Sequence, residues 1–236
     1  MRVLIFLFFL SPFAGFAQEC RLALVLALDV SGSVNDREYR LQISGLAAAL
    51  NDPDVRQAIL GGGGAHVDLA AFEWSSQNHQ FIIQPWVTLD SHAAIDGAVA
   101  RIGAYRKQRA GLKTALSTAM LFAGELLRGK SECWEHKIDV SADGPNNIGP
   151  PVSESYRADT LAGVTVNALV VGSLGDAEPG TLEALEDKDL RQYYEREVIR
   201  GPGAFAMIAR GYPDYARAMR EKLLRELAPA AIGFNR

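Results

Sequence analysis

Two spacings of apolar residues alternate along the chain. Leu22-Ala23-Leu24-Val25-Leu26-Ala27-Leu28 is an unbroken apolar run, closed by the polar turn Asp29-Val30-Ser31-Gly32-Ser33. Such a run predicts a strand buried on both faces, which belongs in a parallel sheet covered by helices. From Asp36 to Leu50 the apolar residues Tyr39, Ile43, Leu46, Ala47 and Leu50 take helical spacing, and a second helical stretch follows Pro53. His66 to Trp74 and His79 to Val87 read as two strands joined by a polar turn, and Pro85 assigns the second to a sheet edge. Helices are predicted over Ser91–Ile102, from Leu112 to about Arg128, and over Ser153–Leu161, Asp189–Ile199 and Pro213–Ala228. Strands are predicted over Glu135–Ser141, Val164–Val171 and Ala204–Ala209, and residues 173–186 read as loop with a short helix. This order predicts an α/β fold: a doubly wound, mostly parallel six-stranded sheet with one antiparallel edge strand and helices on both faces, a Rossmann-like arrangement.

In open sheets of this kind, ligands bind in the crevice outside the carboxyl ends of the strands. Asp29, Ser31 and Ser33 occupy every second position there, so an extended backbone sends their oxygens to one side. A carboxylate and two hydroxyls make a hard, oxygen-only site, suited to magnesium or manganese. The structural alternative is that Ser33 or Asn35 only caps the next helix. Asp143 repeats the pattern, following an apolar run and preceding Gly144-Pro145-Asn146-Asn147. Thr114, at the first turn of its predicted helix, is open to capping, ligation or both.

The N-terminus changes where this fold is expected to work. Arg2, the apolar stretch Val3–Leu10, Pro12 and the small residues Gly15 and Ala17 form the pattern of a secretory signal peptide over residues 1–17. The stretch is too short to span a bilayer. A single domain over residues 18–236, periplasmic or secreted, is expected to follow. The formal net charge of −4, or −5 without Arg2, and the lack of a basic cluster argue against nucleic acid or an anionic membrane as partner. No later stretch is apolar enough for stable membrane insertion.

Export also bears on the two cysteines. Cys20 lies nine residues before Asp29, and Cys133 ten before Asp143. If the two strands are parallel neighbours with level carboxyl ends, their starts are level too, which predicts a Cys20–Cys133 disulfide. Glu73 reads as a satisfied strand-end carboxylate in preference to a residue supporting metal ligands. Asn146 and Asn147 either orient Asp143, shape ligand contacts or form the turn. His66 and His136 belong to the opposite ends of their strands, no His/Cys spacing suggests zinc, and Trp74, Trp86 and Trp134 read as packing residues.

Taken together, Asp29-x-Ser31-x-Ser33 after the first strand, Thr114 before a later helix and Asp143 after the fourth strand resemble the metal-ion-dependent adhesion site of a von Willebrand factor A domain. The resemblance spans roughly residues 20–228. Phe72-Glu73-Trp74, Pro85-Trp86 and Asp143-Gly144-Pro145-Asn146-Asn147 further resemble an uncharacterised branch of secreted bacterial proteins in that superfamily. Gly111-Leu112-Lys113-Thr114 departs from the Gly-Gly-Thr-like turn usual in the family, and Lys113 is placed either beside the metal or outward. The resemblance implies that Asp29 acts through metal-bound water, that Ser31 and Ser33 ligate directly, and that Thr114 and Asp143 exchange direct contact as ligand arrives. It further implies Mg2+ or Mn2+ as cofactor and a protein partner presenting an acidic side chain. The leading expectation is therefore a non-enzymatic protein-binding module. A metal-dependent phosphohydrolase with Asp29 as nucleophile competes, but no second acid stands two residues on, and no His or Lys has a clear role as base. A metal-free scaffold and a cytoplasmic partner of ATPases are the other readings, and the leader peptide opposes the latter.

Overall fold

Six strands form one sheet in a computed structural model that describes residues 19–172 and 182–228: β1 (Cys20–Asp29), β2 (His66–Trp74), β3 (Gln80–Leu89), β4 (Glu135–Ala142), β5 (Thr165–Val171) and β6 (Ala206–Ala209). Their spatial order is β3-β2-β1-β4-β5-β6, and every neighbouring pair is parallel except β2 with β3. This is the expected doubly wound sheet with one antiparallel edge. The expected leader, residues 1–17, lies outside the described residues.

The alternation within β1 explains why it sits at the centre. Leu22, Leu24, Leu26 and Leu28 pack among α1 (Asp36–Asn51), α2 (Pro53–Leu60), α3 (His92–Ala104) and α7 (Tyr215–Leu227). The smaller Ala23, Val25 and Ala27 join a second cluster with α4 (Leu116–Arg128), α5 (Val152–Ser155) and the π-helical turn Tyr194–Val198 that extends α6 (Leu182–Tyr193). Large side chains on one face and small ones on the other let both helical layers close on a single strand. Each fully buried leucine contributes on the order of 1.5–3 kcal/mol.

From β1 the chain winds to β2 and β3 on one side, then crosses over to β4, β5 and β6. The order reverses between β1 and β4, which places the switch-point crevice at their carboxyl ends. Leu28 is level with Ser141, so Asp29 and Asp143 leave the sheet at the same edge. At the other end Cys20 and Cys133 form a disulfide across a sequence separation of 113 residues. In the chain-entropy account a loop of that size contributes about 4–5 kcal/mol.

Several predicted elements differ in detail. The Ser153–Leu161 helix is only the four-residue α5 and a separate 3₁₀ turn, Asp159–Leu161, because Ala158 turns extended between them. The break brings Thr160 and Leu161 onto α4 at Gly124, where a Cβ would stand 2.9 Å from the Thr160 carbonyl oxygen. The helix expected from Leu112 begins at Leu116. The one expected over Asp189–Ile199 starts earlier, at Leu182, and ends in the π-helical turn, while residues 173–181 of the expected loop lie outside the described residues. Trp134 is not a packing residue, being 62% exposed.

Candidate metal centre

The site forms where β1 stops. The backbone is not extended through Ser33 as the alternate spacing had suggested; it turns at Ser31, whose carbonyl accepts from the Val34 N–H at 3.0 Å. The Ser31 N–H in turn donates to Asp29 Oδ1 at 2.7 Å. This tight turn, not strand alternation, brings the serines over Asp29. Asn35 then caps α1, its Oδ1 accepting from the N–H groups of Arg37 (2.9 Å) and Glu38 (3.1 Å), while Glu38 returns a bond to the Asn35 N–H. With Asn35 as cap, the Ser33 hydroxyl is left for the crevice.

The other oxygens arrive from across the switch point. Thr114 Oγ1 donates to Ser31 Oγ at 3.2 Å, Ser31 Oγ lies 3.3 Å from Ser33 Oγ, and Ser33 Oγ donates to Asp143 Oδ1 at 2.7 Å. Thr114, Ser31, Ser33 and Asp143 thus form one continuous chain of contacts, with Asp29 fully buried beside it. Asp29 Oδ2 is a buried carboxylate oxygen without a hydrogen-bond partner among the described residues. Burial, then the neighbouring Asp143 charge, pushes the Asp29 carboxyl up to about 8 against the bonds from Ser31. Asp143 is also raised, mainly by burial, although Ser33 and Tyr212 donate to it. Two carboxyl groups that resist ionising together, one with an orphaned oxygen, suit a divalent cation, which supplies the missing positive charge.

Thr114 is held differently from expectation. It precedes α4 by two residues, and its hydroxyl caps nothing. Asn147 positions it instead, accepting from the Thr114 N–H at 2.9 Å and donating to Thr114 Oγ1 at 3.4 Å. Asn146 Oδ1 accepts from the Ser117 N–H at 3.3 Å, so α4 takes its cap from another loop. Asn146 and Asn147 therefore serve Thr114 and α4, not Asp143. Tyr212, which donates to Asp143 Oδ2 at 3.3 Å, was not foreseen, since its contact depends on a turn 69 residues away. Lys113 is exposed.

A family model described as "Protein of unknown function (DUF1194)" matches residues 19–231. The chain belongs to the DUF1194 family. Among curated proteins none matches it. Among solved structures it is similar to proximal thread matrix protein 1 from the mussel byssus "with zinc occupied MIDAS motif" (TM-score 0.59, 17% identity, covering 90% of this chain and 49% of that one). It is also similar to the pilus adhesin SpaC of Lactobacillus rhamnosus GG in an open conformation (TM-score 0.61, 13% identity, 89% of this chain and 30% of that one). A third is a von Willebrand factor type A structure from Catenulispora acidiphila (TM-score 0.60, 15% identity, 88% and 43%). The DUF1194 chain thus has the von Willebrand factor A fold and spans half or less of the length of these structures.

Glu73, at the end of β2, is a satisfied carboxylate in this DUF1194 fold. Its Oε1 accepts from the Gln108 N–H at 2.9 Å and lies 3.3 Å from His79 Nε2, while Tyr39 donates to Oε2 at 3.4 Å. Burial raises it to about 7 against these bonds and the Lys107 charge, and burial lowers His79. A carboxyl that holds its proton more tightly folded than unfolded stabilises fully below its ordinary 4.5, and this contribution is lost as pH rises through about 7. Glu73→Gln is expected to flatten the pH dependence of the unfolding free energy between about 4.5 and 7, measured by denaturant titration; an unchanged slope there would assign it to other groups.

At the opposite end of the sheet, ligand atoms of Cys20, His66 and Asp68 lie within 4.8 Å of one another. This proximity was not visible in sequence spacing. The sulfur is committed to the disulfide, and Lys130 Nζ sits 2.7 Å from Asp68 Oδ2, so a cation is already in place there. Among the described residues no helix is long and apolar enough to cross a membrane.

Proposed function

We propose that this DUF1194 protein is an exported, metal-dependent protein-binding module that captures an acidic side chain of a partner. Its leader is residues 1–17, its single domain residues 18–236, and its place of work the periplasm or the exterior. The observation that carries the reading is the chain of contacts from Thr114 through Ser31 and Ser33 to Asp143, formed next to Asp29, whose buried Oδ2 has no hydrogen-bond partner among the described residues. All of these donors are oxygens, which favours Mg2+ or Mn2+. The ion would supply a Lewis-acidic position with coordination left over for an incoming carboxylate. Asp29 holds the charge at the base, Ser31 and Ser33 add neutral donors, and Asn147 keeps Thr114 turned toward them. Because three of the five donors are uncharged hydroxyls, the protein at most neutralises a divalent ion, and an acidic ligand remains attractive. Adhesion and matrix proteins among the structural neighbours support an interaction role in preference to catalysis.

Thermal unfolding of residues 18–236 in magnesium or manganese, against chelator, tests this reading. A ligand of the folded state at a hundredfold excess over its Kd adds about 2.7 kcal/mol. In a domain of this size that is a rise of roughly 5–10 °C. Asp143→Ala is expected to abolish the rise. No response of the wild type at millimolar metal would favour a scaffold, and phosphoester turnover lost on the same substitution would favour a hydrolase.

A further inference from the structure

The face around the five oxygen donors is electrically polarised. On one flank, the loop between α3 and α4 exposes Arg106, Arg109 and Lys113, none of which has an ion-pair partner among the described residues. Lys107 of the same loop is turned inward, its Nζ donating to the Val34 carbonyl at 2.8 Å. Leu112 is 82% exposed beside the donors: a Cβ on Gly32 would come within 3.0 Å of the Leu112 carbonyl oxygen. A depression of about 500 Å3 runs between Ser31, Gly32, Asp36, Arg109 and Leu112. The backbone of this loop is fixed, because the Gln108 N–H donates to Glu73 (2.9 Å) and the Gly111 N–H to Ser75 Oγ (2.9 Å). Basic and apolar side chains are thus presented from a rigid loop, which lowers the ordering cost of a contact.

The other flank carries the opposite sign. A cavity of about 590 Å3 has Asp143 in its wall, with Glu38 and Glu186 beside Arg37, the one cation among its described lining residues. Its size accommodates a lysine or arginine side chain. Complementary charge of this kind selects partners and sets their register more than it adds affinity.

We propose that the partner docks as an extended segment whose charges follow this polarity. An acidic residue goes to the metal, further acidic and apolar side chains lie along Arg109, Leu112 and Lys113, and a cationic side chain enters the cavity between Glu38 and Glu186. This rests on the metal-dependent reading above. The two are separated by selecting a peptide library, with one fixed central glutamate and randomised flanks, on the immobilised protein in magnesium and in chelator. Peptides retained only in magnesium are expected to be enriched severalfold in acidic residues on one side of the glutamate and in lysine or arginine on the other. The double variant Arg109→Glu/Lys113→Glu is expected to remove the acidic preference and leave both the cationic one and the magnesium-dependent rise in unfolding temperature. Glu38→Gln/Glu186→Gln, which keeps the α1 cap, is expected to remove the cationic preference alone. Magnesium-dependent retention with no charge order, or with the same charge on both sides, overturns the polarity and leaves metal-dependent capture standing. Absence of any magnesium-dependent retention overturns both.

Discussion

Lys222→Met is expected to destabilise the protein by about 3–5 kcal/mol, the cost of leaving buried carboxylates without their partner. Lys222 lies on the inner face of α7 with no exposed surface, its Nζ 2.7 Å from Asp139 Oδ1 and 2.6 Å from Glu226 Oε1. Asn167 donates to the same Glu226 oxygen at 2.8 Å and accepts from the Phe205 N–H at 3.1 Å, so the seam ties α7 to β4, β5 and the approach to β6. One lysine serves two acids here. Burial, then the Glu226 charge, raises Asp139, with Lys222 opposing both. Methionine preserves the volume of the lysine stem and removes only the charge. The triple variant Lys222→Met/Asp139→Asn/Glu226→Gln is expected to recover most of the loss, because a buried ion cluster replaced as a whole costs far less than one broken in half. Denaturant midpoints of the single and triple variants decide the matter: a single variant within 1 kcal/mol of wild type would mean that the carboxylates find protons or water instead.

This seam shows what the sequence conceals. Lys222 and Glu226 each stand seven residues after an apolar position of α7, Tyr215 and Met219, and so share its apolar stripe, but nothing local announces that the sheet beneath offers Asp139 and Asn167. Fold-level features were more legible because each was written locally. The unbroken run of Leu22 to Leu28 marks a central strand, Pro85 marks an edge, and the nearly matched distances from Cys20 to Asp29 and from Cys133 to Asp143, nine and ten residues, place the disulfide once the strands are parallel. That the five candidate donors stand at one edge of the sheet was legible for the same reason, since each lies at or beyond the end of a strand or before a helix. Their support was not. Asn147 holding Thr114, Asn146 capping α4 and Tyr212 meeting Asp143 join residues far apart in sequence, and each type has ordinary turn or packing roles that mask the contact. The turn at Ser31 escapes the sequence because alternate spacing suggests an extended chain, where a bond from the Ser31 backbone N–H to the Asp29 carboxylate bends it instead.

At the carboxyl end of the sheet the expected sign is the reverse of that at Lys222. Asp29→Asn is expected to stabilise the metal-free protein, by on the order of 1–3 kcal/mol, and to abolish its stabilisation by magnesium. The amide retains an oxygen to accept from the Ser31 N–H, and it removes a carboxylate that is fully buried, faces Asp143 and leaves Oδ2 without a partner among the described residues. A neutral donor in its place halves the negative charge available to a cation, and hard divalent ions depend on carboxylate charge for affinity. Wild type and variant therefore exchange rank: the variant has the higher unfolding midpoint in chelator and the lower one in saturating magnesium. A structural role for Asp29, as a simple turn former, predicts instead a variant that is equal or weaker under both conditions. The crossing of the two midpoints as magnesium rises consequently separates a carboxylate kept to hold a cation from one kept for the turn, because only the former is harmful to the fold until its ligand arrives.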